Sequence, residues 1–183
     1  MRPDYITSDN ILSKDECERI IEWGEAQEEP AKVGTGRLSL LKRRSKIAWI
    51  GYGSEFDEIM SRVMCELEAI AKNMYGQDVN FFEPVQYTSY GVGGFYGYHM
   101  DTGLDGPDRI ISASIELTDP NSYVGGGLKF MHHPNPVPYR PQGTMISFPS
   151  LILHKARPVL WGKRQSLVFW GSNNERTGRS LNA

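Results

Sequence analysis

Residues 141–170 read PQGTMISFPSLILHKARPVLWGKRQSLVFW. Two strand-like runs lie inside this stretch, Thr144–Phe148 and Ser166–Trp170, and Pro149, Pro158 and Gly162 punctuate the chain between them. The same texture begins upstream at Phe81. Val85–Tyr90, Ile110–Leu117 and Leu128–Phe130 are further short runs set between Gly, Pro and Asn breaks. Many short strands with frequent turns predict a sandwich or barrel.

The N-terminal third has a different period. From Ser13 to about Gln27 the spacing predicts a helix, with Ser13 as N-cap and Glu16 completing a capping box. Asp15, Glu16 and Glu18 make its first turns acidic, which suits the positive end of the helix dipole. Cys17, Ile20, Ile21 and Trp23 form its apolar side. A second helix is expected from about Ser54 to Met74. Phe56, Ile59, Met60, Val63, Met64, Leu67, Ile70 and Ala71 recur there at three- and four-residue steps, and Gly76 supplies the stop. Core packing accounts for the two methionines. The chain, residues 1–183, therefore reads as one α+β domain with the helices packed on one face of the barrel.

At 183 residues, 39% hydrophobic and 23% charged, the composition is that of a globular domain with a real core. A net charge of −2 argues against broad nucleic-acid binding, which needs a basic face. The run Lys42–Lys46 is the one basic cluster and reads as a solvated turn. No apolar run approaches the roughly 18 residues of a membrane span. The opening MRPDYITSDNILSKDE lacks the apolar core of a signal peptide, so a cytoplasmic protein is expected. Cys17 and Cys65 lack CxxC spacing and read as buried free thiols rather than metal ligands.

The strongest chemical signal is His99-Met100-Asp101. On a strand, residues i and i+2 share a face, so an imidazole and a carboxylate would converge. His154 follows a later strand-like run and supplies a third ligand. Two histidines and a carboxylate make the facial triad of non-haem iron(II) oxygenases. Zinc is the rival metal. Downstream, Arg164 and Ser166 share one face of a strand, and a guanidinium fork beside a hydroxyl suits a carboxylate. His132 and His133 are adjacent, point to opposite faces, and read as surface residues.

In the order and spacing of these pieces, from about Ile11 to Trp170, the chain resembles the prolyl-4-hydroxylase-like branch of the iron(II)- and 2-oxoglutarate-dependent oxygenases. The carrying motifs are YGVGGFYGYHMD (90–101), GGGLKF (125–130), PQGTMISF (141–148), and His154 through Pro158-Val159 to GKRQSLVFW (162–170). The resemblance implies a double-stranded β-helix, or jelly-roll, core. It implies iron(II) on His99, Asp101 and His154. It also implies 2-oxoglutarate with its distal carboxylate on Arg164, helped by Ser166 and the Tyr90 hydroxyl. Tyr96 and Trp170 match positions near the substrate mouth. Two departures stand out: Gly127 occupies a place where relatives often carry an acid, and Arg164 one where many carry Lys.

The function this implies is a 2-oxoglutarate- and O2-dependent hydroxylase of a protein or peptide side chain such as proline, with ascorbate as an allowed reductant. Two alternatives remain open from sequence. One is an oxidative demethylase of alkylated nucleic acid, although that family usually has a second Arg where Trp170 stands. The other is a metal-free cupin-like binding module. The loop Thr102–Arg109, with two glycines, is a candidate lid. Oligomeric state is not legible.

Overall fold

A computed structural model describes residues 3–31, 42–102 and 108–173. Helix α1 runs Lys14–Gln27, and its start is the one the sequence predicts. The Ser13 Oγ accepts from the Glu16 amide at 3.2 Å, and the Glu16 carboxylate accepts from the Ser13 amide at 2.8 Å. Ser13→Ala is expected to cost about 1 kcal/mol of stability, read as a lowered urea midpoint with unchanged slope. Arg62 of helix α2 (Asp57–Ile70) donates to the Glu16 carboxylate at 2.8 and 2.9 Å, tying the two helices together.

Helix α2 begins three residues later than the sequence suggests. The Asp57 carboxylate accepts from the Gly53 and Ser54 amides and turns those residues out of the helix. Its stripe of Ile59, Met60, Val63, Leu67 and Ile70 is buried as expected. A π-helical turn, Ala71–Tyr75, extends it to Gly76, whose φ of 67° ends it. Cys17 is buried and burial pushes its thiol up to about 12. Cys65 departs from expectation: it falls off the apolar stripe and is exposed.

The strands are β1 (Ile6–Ser8), β2 (Glu29–Pro30), β3 (Arg43–Arg44), β4 (Lys46–Ile50), β5 (Phe81–Phe82), β6 (Val85–Tyr90), β7 (Phe95–His99), β8 (Ile111–Glu116), β9 (Tyr123–Gly125), β10 (Leu128–Phe130), β11 (Met145–Pro149), β12 (His154–Ala156), β13 (Val159–Gly162) and β14 (Arg164–Ser172). The larger sheet has the order β1-β11-β8-β14-β6-β4-β2, with β5 paired to the end of β14. The smaller has the order β10-β12-β7-β3, and β13 pairs with β9 in a third ribbon. Every pairing is antiparallel. This is the double-stranded β-helix arrangement that the resemblance implies.

The helices cover the outer face of the larger sheet, as expected. Leu12, Cys17, Ile20, Val63 and Leu67 pack there with Tyr87, Ile115, Leu167 and Phe169. The approach is closest at Gly24 of α1, where a Cβ would come within 2.4 Å of the Tyr87 ring. The inner faces of the two sheets enclose a cleft, so β6, β8 and β14 are buried on both sides. The basic run differs from a solvated turn. Lys42, Arg44 and Lys46 are exposed, but Arg43 sits on β3 facing inward, donating to the Ser45 hydroxyl at 2.7 Å and the Gln86 side chain at 3.0 Å. Among the described residues no helix is long and apolar enough to cross a membrane.

Candidate active site

His99 is the last residue of β7 and His154 the first of β12, and the register pairs them directly across the antiparallel ladder. That pairing brings two residues distant in sequence to ring centroids 4.3 Å apart. The HxD motif departs from the expected strand geometry, since β7 ends at His99 and Asp101 lies in the following bend. The Asp101 amide donates to the Ser150 carbonyl at 3.0 Å, and this fixes the bend. One carboxylate oxygen then stands 3.4 Å from His99 Nε2 and the other 3.6 Å from His154 Nε2. Ligand atoms of these three residues all lie within 4.8 Å of one another. Among the described residues they form the group of three metal-ligating side chains so arranged.

The histidines are oriented for this. His99 Nδ1 lies 2.9 Å from the Gly97 carbonyl and His154 Nδ1 lies 2.8 Å from the Ile152 carbonyl. A carbonyl only accepts, so each Nδ1 is assigned a proton and each Nε2 is turned toward the centre and Asp101, where it ligates a metal once it carries no proton. Burial lowers the His154 pKa and keeps the ring neutral, the form that ligates, against the opposing pull of Asp101. Burial pushes the Asp101 carboxyl up. The hydrogen bond to His99, the two imidazoles and the Ser112 hydroxyl outweigh that and hold it below the usual carboxylate range.

Arg164, Ser166, Val168 and Trp170 project from alternate positions of β14 into the cleft. Tyr90 lies directly across the ladder from Arg164, and Thr88 across from Ser166. The turn Gly125-Gly126 makes room for the guanidinium stem. Gly126 has φ 72°, and a Cβ there would meet Arg164 Cδ at 3.0 Å. The structure thus brings Tyr90, Arg164 and Ser166 together. It adds a partner that the sequence reading missed. Arg164 is 1% exposed and fully engaged on one edge by Glu116. Its Nε donates to Glu116 Oε2 at 2.9 Å and Nη2 donates to Oε1 in a very short contact. The Ser114 hydroxyl lies 3.4 Å from the same Nη2. Burial disfavours the Arg164 charge, but Glu116 more than compensates and raises its pKa.

Two further groups shape the mouth. Tyr96 stacks on His99 at a centroid distance of 3.6 Å, with the Arg43 guanidinium 4.7 Å from its ring centre. Arg109 lies 3.9 Å over the Trp170 ring and donates twice to Glu83, at 2.6 Å each. It also reaches the Asp101 carbonyl at 3.3 Å. Residues 103–107 of the loop read as a candidate lid lie outside the described residues. His133 stands apart, paired with Asp4 at 3.2 Å. Glu116 was legible in principle. In Ile111–Glu116 apolar and polar residues alternate strictly, so Ser112, Ser114 and Glu116 share the face opposite Ile111, Ala113 and Ile115.

Residues 85–172 match the family model of the 2OG-Fe(II) oxygenase superfamily. A PKHD-type hydroxylase of Pseudomonas putida is 34% identical over 89 residues, covering 44% of this chain and 39% of the relative. The chain thus spans about two fifths of that relative's length. The PKHD-type hydroxylase Shew185_0721 of Shewanella baltica is 26% identical over 175 residues, 88% of this chain and 75% of the relative. Among solved structures, a Pseudomonas putida prolyl-4-hydroxylase superposes with a TM-score of 0.72 at 23% identity, covering 93% of each chain. The viral collagen prolyl hydroxylase from Paramecium Bursaria Chlorella virus-1 gives 0.71 at 21% identity, covering 93% of this chain and 97% of that one. These two establish a shared fold.

Proposed function

We propose, from the premise that this chain belongs to the 2OG-Fe(II) oxygenase superfamily through residues 85–172, that it hydroxylates a protein or peptide side chain, with proline the first candidate. The reading is carried by the convergence of His99, Asp101 and His154. Two imidazole nitrogens and a carboxylate on one side of an open cleft are the donor set that suits iron(II). Iron(II) and 2-oxoglutarate, when bound, supply the activation of O2.

The chain's own residues do the rest. Gly97 and Ile152 carbonyls hold the imidazole tautomers. Tyr90 and Ser166 offer hydroxyls, and Arg164 the part of its guanidinium that Glu116 does not occupy, to the distal carboxylate of the keto acid. Leu128, Phe148 and Val168 line the cleft and exclude water from it. Tyr96 and Trp170 border the side from which a substrate chain would enter. The Trp170 indole N–H is buried without a partner among the described residues, which leaves it free to donate to a substrate carbonyl.

Anaerobic titration tests the reading. Iron(II) followed by 2-oxoglutarate is expected to give a visible charge-transfer band, and neither alone gives one. Protein that binds iron but shows no band at saturating keto acid would sink the proposal. Peptides, free amino acids and oligonucleotides, screened for stimulated succinate release, then identify the acceptor.

A further inference from the structure

The lysines and arginines of this chain fall into two sets. On or beside α1, α2 and the larger sheet they sit in ion pairs, as Arg62 does with Glu16, Lys46 with Glu28, Lys163 with Glu25 and Arg164 with Glu116. The strands of the smaller sheet contain no aspartate or glutamate. Among the described residues no ion pair reaches Lys42, Arg44, Lys129, Lys155 or Arg157, which lie on that sheet or directly beside its strands. Leu128, His154 and Ala156 line the cleft, so strand alternation turns Lys129 and Lys155 to the outer face. Lys155 Nζ stands 4.5 Å from the ring centre of Tyr98, which places that tyrosine there too. Arg43 lines the cleft, and its neighbours Lys42 and Arg44 are exposed. Lys129 and Lys155 are direct partners across the β10–β12 ladder. Like charges directly opposite destabilise a sheet. Their other contacts, the Pro134 carbonyl at 3.2 Å for Lys129 and the Tyr98 ring for Lys155, neutralise neither charge. Fold stability therefore does not account for this pair of lysines.

We propose that the outer face of the smaller sheet docks an acidic segment of the protein substrate, the segment that flanks the side chain presented to the cleft. This deepens the hydroxylase reading above and rests on it for the identity of the occupant. Charge complementarity selects the partner. The exposed acids Asp15, Glu22, Glu58, Glu66 and Glu68 gather on the helices, on the opposite side of the molecule. An acidic chain is thus drawn to one side and repelled from the other. Strand β3 is the edge of the smaller sheet and joins the outer face to the cleft. On its inner side Arg43 is hydrogen-bonded to neutral groups, the Ser45 hydroxyl and the Gln86 side chain, and keeps its charge. Arg44 continues the line of charge on the outer side. An extended chain at about 3.3 Å per residue needs on the order of ten residues to pass from the cleft round β3 to Lys155. Two other anions fit less well. Single-stranded nucleic acid is held on open aromatic faces, and here Tyr98 is covered by Lys155. A second copy would bring its acidic helices against this face, an unlike contact that does not close and runs on into filaments.

Fluorescence anisotropy at low ionic strength, on protein without metal, compares two labelled peptides. One carries a run of glutamates beside a single proline, and its twin carries glutamines in their place. The glutamate peptide is expected to bind at least about tenfold more tightly, since each exposed ion pair contributes about two- to fivefold. Lys129→Gln/Lys155→Gln is expected to weaken it by about tenfold and to move the glutamine twin by less than about threefold. A thermal melt of that variant is expected to show a fold at least as stable, because the like-charge contact is gone. Lys14→Gln/Lys72→Gln makes the same change in net charge on the helical side and is expected to leave both affinities within about threefold. Equal binding of the twins by the wild-type chain would overturn the proposal, as would equal losses in the two variants. Tighter binding of an oligothymidylate than of the glutamate peptide would replace the acidic segment with nucleic acid. Salt-sensitive self-association that Lys129→Gln/Lys155→Gln abolishes would replace it with a second copy. Turnover with iron(II) and 2-oxoglutarate separates the docking face from the reading beneath it. The glutamate run is expected to lower the KM of the peptide by about tenfold with kcat unchanged, and equal KM for the twins would detach the face from the substrate. Succinate release with neither twin, beside intact glutamate-selective binding, would sink proline as the acceptor and leave the docking face standing.

Discussion

Asp101→Ala is expected to lower metal affinity by more than about 100-fold and to remove substrate-coupled succinate formation altogether. The reasoning starts from geometry. Asp101 is the member of the triad that contacts both imidazoles, at 3.4 and 3.6 Å. Its loss leaves two neutral nitrogens and no charge to offset that of the cation. Outer partners that merely orient a ligand are worth about 10- to 100-fold, so loss of the sole anionic ligand exceeds that range. Asp101→Asn separates shape from charge. The side-chain amide fills the same space beside the two imidazoles, yet presents at best one weak oxygen donor, and its metal affinity is expected to fall nearly as far. His99→Ala is expected to have the same effect on activity. Full turnover in either alanine variant would remove these residues from the metal centre, and metal content measured alongside turnover separates loss of the ion from loss of the fold.

Arg164→Ala is expected to destabilise the fold by about 3–5 kcal/mol, well beyond the loss of a ligand contact. The guanidinium is the charge partner of a carboxylate that is itself 4% exposed. Truncating the arginine leaves Glu116 ionised in the barrel interior, or forces it to take up a proton. Either outcome is costly in a space closed by two sheets. The double variant Arg164→Leu/Glu116→Leu removes both charges and fills the volume, and it recovers most of the loss because an apolar pair substitutes for a buried ion pair at little net cost. Denaturant unfolding of the two single variants and the double completes the cycle. If Arg164→Ala unfolds at the wild-type midpoint, the pair is not the buried contact described here. This coupling also means that keto-acid affinities measured on Arg164→Ala report a damaged pocket.

Features fixed by local chemistry were legible in the sequence. The Ser13/Glu16 box spans three residues and needs nothing beyond them, so its reading matches the structure bond for bond. The strands Val85–Tyr90 and Leu128–Phe130 have the predicted bounds, since their β-rich runs are closed by breakers. Features fixed by register were not legible. That His99 faces His154 depends on the pairing of β7 with β12, and nothing local encodes it. Arg43 misled because its three charged neighbours, Lys42, Arg44 and Lys46, do face solvent, while strand alternation turns this one residue inward. Glu116 was passed over because a single acid at the end of an apolar-looking strand draws attention only once Arg164 is known to stand beside it. Cys65 lies one residue from Met64 and two from Val63, and helical rotation carries it off the buried stripe.

Strand β14 does two jobs at once. Its residues 164, 166, 168 and 170 line the cleft, while Leu167 and Phe169 belong to the core under the helices. Gln165 reaches Tyr87 and, on α1, Glu25. Losing or gaining one residue within it would exchange a guanidinium, a hydroxyl and an indole for a glutamine, a leucine and a phenylalanine, and would push the polar set into the core. The chemistry of this cleft can therefore change over evolutionary time through point replacement in β14 but not through indels there, and length variation among descendants should collect in the connections, never inside this strand.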